Sequence, residues 1–141
     1  KNIDFTELGL EAELGVIEGQ SELFDKNENS ALYTDPDQAS IFIQKTKIDS
    51  LAISIGSRHG LGSSIDYKIL ADIHKKINKP LVVHGGSGIN INDFVKLNEH
   101  GVKKINFGTK LHKIFSDESK HAELTDYIIT LCYNLNANDK I

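Results

Sequence analysis

The chain has 141 residues, room for one domain with a core of its own, and its 39% hydrophobic and 26% charged content is that of an ordinary soluble globular protein. A formal net charge of −4 excludes the basic footprint of a nucleic-acid binder, and no apolar run approaches the ~20 residues of a membrane span. One cysteine, Cys132, excludes an internal disulfide framework and makes a reducing cytoplasm the default setting. The absence of any methionine, in a chain that begins at Lys1, leads us to expect a piece of a longer protein.

Residues 1–8 carry weak signals. Gly9 to Gly15 alternates Leu10, Ala12 and Leu14 with Glu11 and Glu13, a period of two that predicts a strand with both carboxylates on one face. Buried carboxylates are costly, so that face meets water, cations or a polar barrel interior. From Val16 to Tyr33 no periodicity is sustained, and a loop of that length predicts a lid, a binding loop or a disordered segment, mobile in each case.

Thr34-Asp35-Pro36 opens a helix, with a capping side chain ahead of a first-turn proline, and Ala39, Ile41, Phe42 and Ile43 carry it to about Thr46. Ser50 to Ile55 reads as a strand that delivers Arg58-His59 into Gly60. Asp66 caps a helix through Ile77 with Ile69, Leu70 and Ile73 on its apolar face and His74 on its polar one. Next comes Pro80-Leu81-Val82-Val83-His84-Gly85-Gly86-Ser87-Gly88. A continuous apolar run between Pro and Gly fits a strand covered on both faces, as in a parallel sheet, and it too ends on a histidine that runs into glycine.

A helix is expected from about Ile91 to His100, capped by Asn90 and closed by Gly101. Val102 to Phe107 is a strand ending at Asn106-Phe107-Gly108-Thr109, and residues 110–115 begin another helix. Residues 121–135 form the last, with Leu124, Tyr127, Ile128, Leu131 and Leu135 on one face. His112 and His121 fall on helices and read as surface residues.

Strand and helix thus alternate four times, the pattern of parallel strands joined by right-handed crossovers. Glu13, His59, His84 and Asn106 all fall at the C-terminal ends of strands, where parallel α/β folds bind ligands. Two imidazoles on neighbouring strand ends suit zinc, with Glu13 as a candidate for a third ligand or for a nearby second cation, and a residue from a missing part of the protein as another candidate. Gly60, Gly85, Gly86, Ser87, Gly88 and Thr109 offer backbone N–H groups and hydroxyls for a phosphate. Zinc beside a phosphate cradle suits a phosphorylated carbonyl substrate.

Glu11-Ala12-Glu13-Leu14-Gly15, Tyr33-Thr34-Asp35-Pro36, the run from Asp49 to Gly60, the run from Pro80 to Gly88 and Lys104 to Thr109 together resemble, in order and spacing, the class II metal-dependent fructose- and tagatose-bisphosphate aldolases. The resemblance covers about residues 9 to 116. It implies a (β/α)8 TIM barrel of which this chain is roughly the second half. Within that half, residues 9–34 are a strand plus mobile loop, 50–60 and 80–88 carry metal and phosphate strand ends, 102–109 the substrate strand end, and 121–135 a C-terminal helix.

By the same resemblance His59 and His84 are two of three zinc ligands, and Glu13 is a carboxylate near the metal. Gly60, Gly85, Gly86 and Ser87 belong to phosphate-binding and monovalent-cation-binding loops, and Asn106, Gly108 and Thr109 lie at the dihydroxyacetone phosphate portion. The family's catalytic Asp and third histidine have no counterpart in this chain. The loop's acidic residue falls on Glu22, one position after Ser21; Gly108 stands where Asn or Asp is usual, and Arg58 where a small residue is.

The expected activity of the intact protein is aldol cleavage of fructose or tagatose 1,6-bisphosphate to dihydroxyacetone phosphate and glyceraldehyde 3-phosphate, with Zn2+ as cofactor. The setting would be a cytoplasmic homo-oligomer, dimer or tetramer, with no nucleic-acid or membrane partner, and the fragment alone would be inactive. The alternative is a non-catalytic half-barrel that binds sugar phosphates or pairs with a complementary half.

Overall fold

The structure, a computed structural model, describes residues 9–15, 33–57 and 62–135. Four strands and five helices alternate in these residues: β1 (Glu11–Leu14), α1 (Pro36–Lys45), β2 (Ser50–Ile53), α2 (Tyr67–Lys76), β3 (Leu81–Val83), α3 (Phe94–Glu99), β4 (Val102–Ile105), α4 (Thr109–Phe115) and α5 (His121–Asn134). The strands pair in parallel in the order β1-β2-β3-β4, so each crossover moves the chain one strand along. This is an α/β fold of successive βα units, consistent with part of a (β/α)8 barrel. No helix among the described residues is long and apolar enough to cross a membrane.

Local chemistry sets the helix starts. The Asp35 carboxylate accepts from the N–H groups of Asp37 (3.0 Å) and Gln38 (2.8 Å), with Pro36 at the first helical position. Asp35→Ala is therefore expected to cost about 1 kcal/mol of stability, read by urea unfolding. Asp66 caps α2 in the same way through the Ile69 N–H at 3.0 Å. Asn90 accepts from Asn92, but it opens a 3-10 turn over Ile91–Asp93 that only then runs into α3, so the single helix expected from Ile91 is split.

Two strands are shorter than the sequence predicts. β2 stops at Ile53 because the Ser54 N–H turns to the Thr34 hydroxyl at 2.8 Å, while its carbonyl accepts the Thr34 N–H at 2.9 Å. The Thr34 hydroxyl also donates to the Leu14 carbonyl, so one buried threonine ties the ends of β1 and β2 together. β4 ends at Ile105, although the Asn106 N–H still reaches the Val83 carbonyl at 2.9 Å.

The core lies between the sheet and its helices. Leu51, Ile53, Ile55, Leu81 and Val83 pack with Ala39, Leu70, Ile73, Phe94, Leu97 and Leu131. Of the apolar face expected on α5, Leu131 is buried while Ile128 is exposed. Gly101, at φ +85, closes α3, and a β-carbon there would lie 2.3 Å from the His74 imidazole, so α2 rests against this turn.

The opposite face of the sheet is different. Register aligns Glu11 with Ser50, Glu13 with Ala52, Ala52 with Val82, and Val82 with Lys104. The β3–β4 ladder is irregular: Leu81 pairs with Val102 and Val82 with Lys104, so Lys103 is an extra residue whose ammonium donates to the Asn98 side chain at 2.8 Å. The bulge restores the alternation so that Lys104 shares a face with Glu11 and Glu13.

Candidate functional site

Sheet pleating places Glu11, Glu13 and Lys104 on the face turned away from the helices, and His84, the residue after β3, joins them. β1 and β3 are separated by β2, whose residue at this level is Ala52, and a methyl group leaves room for side chains to meet across it. They do meet. His84 Nδ1 lies 3.1 Å from Glu13 Oε2, and His84 Nε2 lies 3.3 Å from Glu11 Oε1. Lys104 Nζ donates to Glu11 Oε2 at 2.9 Å, and the Ser50 hydroxyl reaches the same oxygen at 3.5 Å.

The Lys104 ammonium holds the Glu11 carboxyl below its usual range, against the opposing pull of burial and with His84 adding to the lowering. The His84 ring itself is only 22% exposed.

The glycine turn after His84 is shaped by its own backbone. Gly85 is left-handed at φ 74. The Gly86 N–H donates to the Asn106 carbonyl and the Gly88 N–H to the Gly85 carbonyl, both at 3.0 Å. A β-carbon on Gly86 would lie 2.5 Å from the Ile105 side chain and 3.0 Å from the Asn106 carbonyl oxygen, so glycine here lets β3 and β4 approach. Two N–H groups read from sequence as open donors thus hold the turn closed.

Ser87 is linked onward, its hydroxyl accepting the Lys110 N–H at 3.2 Å, which brings it to the start of α4 beside Gly108 and Thr109. Among the described residues a β-carbon on Gly108 would meet nothing within 4 Å, so they leave this edge open. The Ser63 N–H donates to the Gly88 carbonyl at 3.0 Å, which joins the segment leading into α2 to the same turn. Ser57 is 2% exposed, and its hydroxyl has no hydrogen-bond partner among the described residues.

The structure thus brings Glu13 and His84 into contact, and sets Gly85, Gly86, Ser87, Asn106, Gly108 and Thr109 along the adjoining strand ends. His59, Gly60 and Glu22 lie outside the described residues, as do Arg58, Ser21 and most of the expected loop. Among the described residues no three of His, Cys, Asp and Glu converge on a point that could hold a metal. The reason is visible in the pair distances: the two carboxylates meet opposite nitrogens of one ring. As a donor set, though, an imidazole nitrogen and a carboxylate on the same edge of that ring are what zinc takes.

Three residues escaped the reading of the sequence as site residues: Glu11, Lys104 and Thr34. Glu11 had a signal, since the alternation that singled out Glu13 places it on the same face.

Comparison with known proteins bears on the family and the fold. The family model for class-II fructose-bisphosphate aldolase matches residues 3–138. Among solved structures the chain is similar to the YdjI aldolase from Escherichia coli K12, at 28% identity and TM-score 0.60 over 92% of this chain and 46% of that one. It is similar to the fructose-bisphosphate aldolase from Campylobacter jejuni at 30% identity and TM-score 0.60, over 85% of this chain and 39% of that one. A third structure, from Coccidioides immitis, bears on the fold alone at 24% identity, with TM-score 0.70 over 94% of this chain and 54% of that one. The chain spans about half the length of these structures.

Proposed function

Because the chain belongs to the class II fructose-bisphosphate aldolase family, we propose that it is the second half of a (β/α)8 barrel that, when intact, cleaves a ketose 1,6-bisphosphate. The products are dihydroxyacetone phosphate and glyceraldehyde 3-phosphate, and the sugar is fructose or tagatose 1,6-bisphosphate. The observation that carries this reading is the pairing of His84 Nδ1 with Glu13 Oε2 at the ends of β1 and β3, beside the turn that holds Ser87. An imidazole, a carboxylate and an adjoining polar edge at the ligand-binding end of a parallel sheet are the parts such a reaction needs.

In this reading His84 and His59 would hold the metal, with Glu13 as a nearby carboxylate or the ligand of a second site. Zinc, when bound, supplies the Lewis acidity that charge developing on the substrate's carbonyl oxygen requires. Gly60, Gly85, Gly86 and Ser87 shape the loops for phosphate and a monovalent cation. Asn106, Gly108 and Thr109 position the dihydroxyacetone phosphate portion, and Glu22 moves a proton at the loop. The principal catalytic Asp and a third histidine come from the other half of the barrel. The enzyme works in the cytoplasm as a homo-oligomer, a dimer or tetramer.

The test is the metal content of the intact protein together with cleavage of both sugars. We expect about one zinc per subunit and an activity that a chelator removes and added zinc returns. An intact protein that holds no metal and cleaves neither sugar would leave only a sugar-phosphate-binding barrel.

A further inference from the structure

Glu11 is held from several sides before any ligand arrives. It lies on β1 two residues before Glu13; one oxygen takes the Lys104 ammonium from β4 at 2.9 Å and the Ser50 hydroxyl from β2 at 3.5 Å, and the other faces His84 Nε2 at 3.3 Å. His84 follows a three-residue strand and precedes a left-handed glycine, so the backbone fixes where its ring begins. It does not fix the rotation of the ring about the bond that joins it to the β-carbon. That rotation, and the choice of which nitrogen carries the proton, is set by the partners of the ring.

The two edges of the ring are not equivalent. Nδ1 shares its side with Glu13, the carboxylate placed beside the metal in the reading above. Nε2 faces a carboxylate whose other oxygen is already occupied by an ammonium and a hydroxyl.

We infer that Glu11 is a positioning residue for the metal site: it accepts the Nε2–H of His84, which fixes the ring plane and the tautomer that presents Nδ1 on the side of Glu13, and Lys104 holds Glu11 in place for that task. The inference rests on the metal-dependent reading and adds to it a carboxylate that never touches metal or substrate. A partner of this kind raises the basicity of a metal-binding imidazole and saves the entropy of orienting it.

The experiment compares Glu11→Ala, Glu11→Gln and His84→Ala in the intact protein. Zinc affinity is measured by competition with a chromophoric chelator, and the protonation pattern of the His84 ring by long-range nitrogen–proton NMR of the zinc-loaded protein. Glu11→Ala should weaken zinc binding by about 10–100-fold. The melting temperature of the metal-free protein should move only as far as loss of a surface ion pair allows. Glu11→Gln keeps an oxygen acceptor and should recover most of the affinity, and wild type and Glu11→Gln should both show a proton on Nε2.

Wild-type zinc affinity in Glu11→Ala, or a His84 ring protonated on Nδ1, would overturn the inference while His84→Ala still loses the metal. Wild-type zinc affinity in His84→Ala would instead overturn the reading on which it rests. If Glu11→Ala fails to fold, the ring protonation in wild type and Glu11→Gln decides by itself.

Discussion

Replacing His84 with alanine should reduce kcat of the intact protein by on the order of 10³-fold, with zinc affinity falling further than in any Glu11 variant. The ring is the only described side chain that contacts both carboxylates of β1, at 3.1 and 3.3 Å. Its removal takes away a nitrogen donor and leaves Glu11 and Glu13 facing each other's field, with Lys104 close to Glu11 alone. A metal contributes several kcal/mol of transition-state charge stabilisation, and each ~1.4 kcal/mol is a factor of ten. The ring is partly exposed and outside the apolar core, so the variant should fold, with a far-UV circular dichroism spectrum that overlays the wild type. A variant that retains its fold and more than a tenth of wild-type kcat would mean that His84 is not at the reacting centre.

The largest effect on stability is expected at Gly56. This residue sits at φ +95 just after β2, and a β-carbon on it would lie 2.1 Å from the Ser64 carbonyl oxygen and 2.9 Å from the Tyr33 hydroxyl. Backbone cannot move aside as the end of a flexible side chain can. The left-handed conformation costs a non-glycine residue about 1–3 kcal/mol, and forced overpacking adds about 1–3 kcal/mol. Gly56→Ala should therefore lose about 2–6 kcal/mol in urea unfolding. Gly62→Ala is the control: among the described residues a β-carbon there meets nothing within 4 Å, and the change should stay within about 0.5 kcal/mol of neutral. Equal stabilities for the two variants would contradict the turn at Gly56.

The order of elements could be read from the sequence because each signal was local. Asp35-Pro36 and Asp66 start helices through their own side chains, Gly101 ends one through its own φ, and the apolar run from Leu81 to Val83 needs cover on both faces. That Glu13 and His84 lie toward the C-terminal ends of their strands was also legible, because each apolar pattern breaks off at a local glycine. What could not be read depended on partners distant along the chain. Gly86 looked like a glycine that admits a ligand, but the atoms that forbid a side chain there belong to Ile105 and Asn106. Thr34 looked like part of a helix start, whereas its hydroxyl serves Leu14 and Ser54. Lys104 was unreadable for another reason: counting by two from the buried Val102 puts it on the core side.

The side that Lys104 takes has its origin in Lys103, and so does a property of the whole strand. Removing this one residue would leave Leu81 opposite Val102, Val82 opposite Lys104 and Val83 opposite Ile105, the pairs that exist now, in an unbroken ladder. Keeping its length but ironing out the irregularity would exchange the two sides of everything after it, sending an ammonium into the apolar interior and an isoleucine toward the carboxylates. The parity of β4 is thus stored in a single dispensable position. A gap there in a comparison with related chains would be chemically silent, and residues beyond it should be matched by the face they occupy rather than by counting along the sequence.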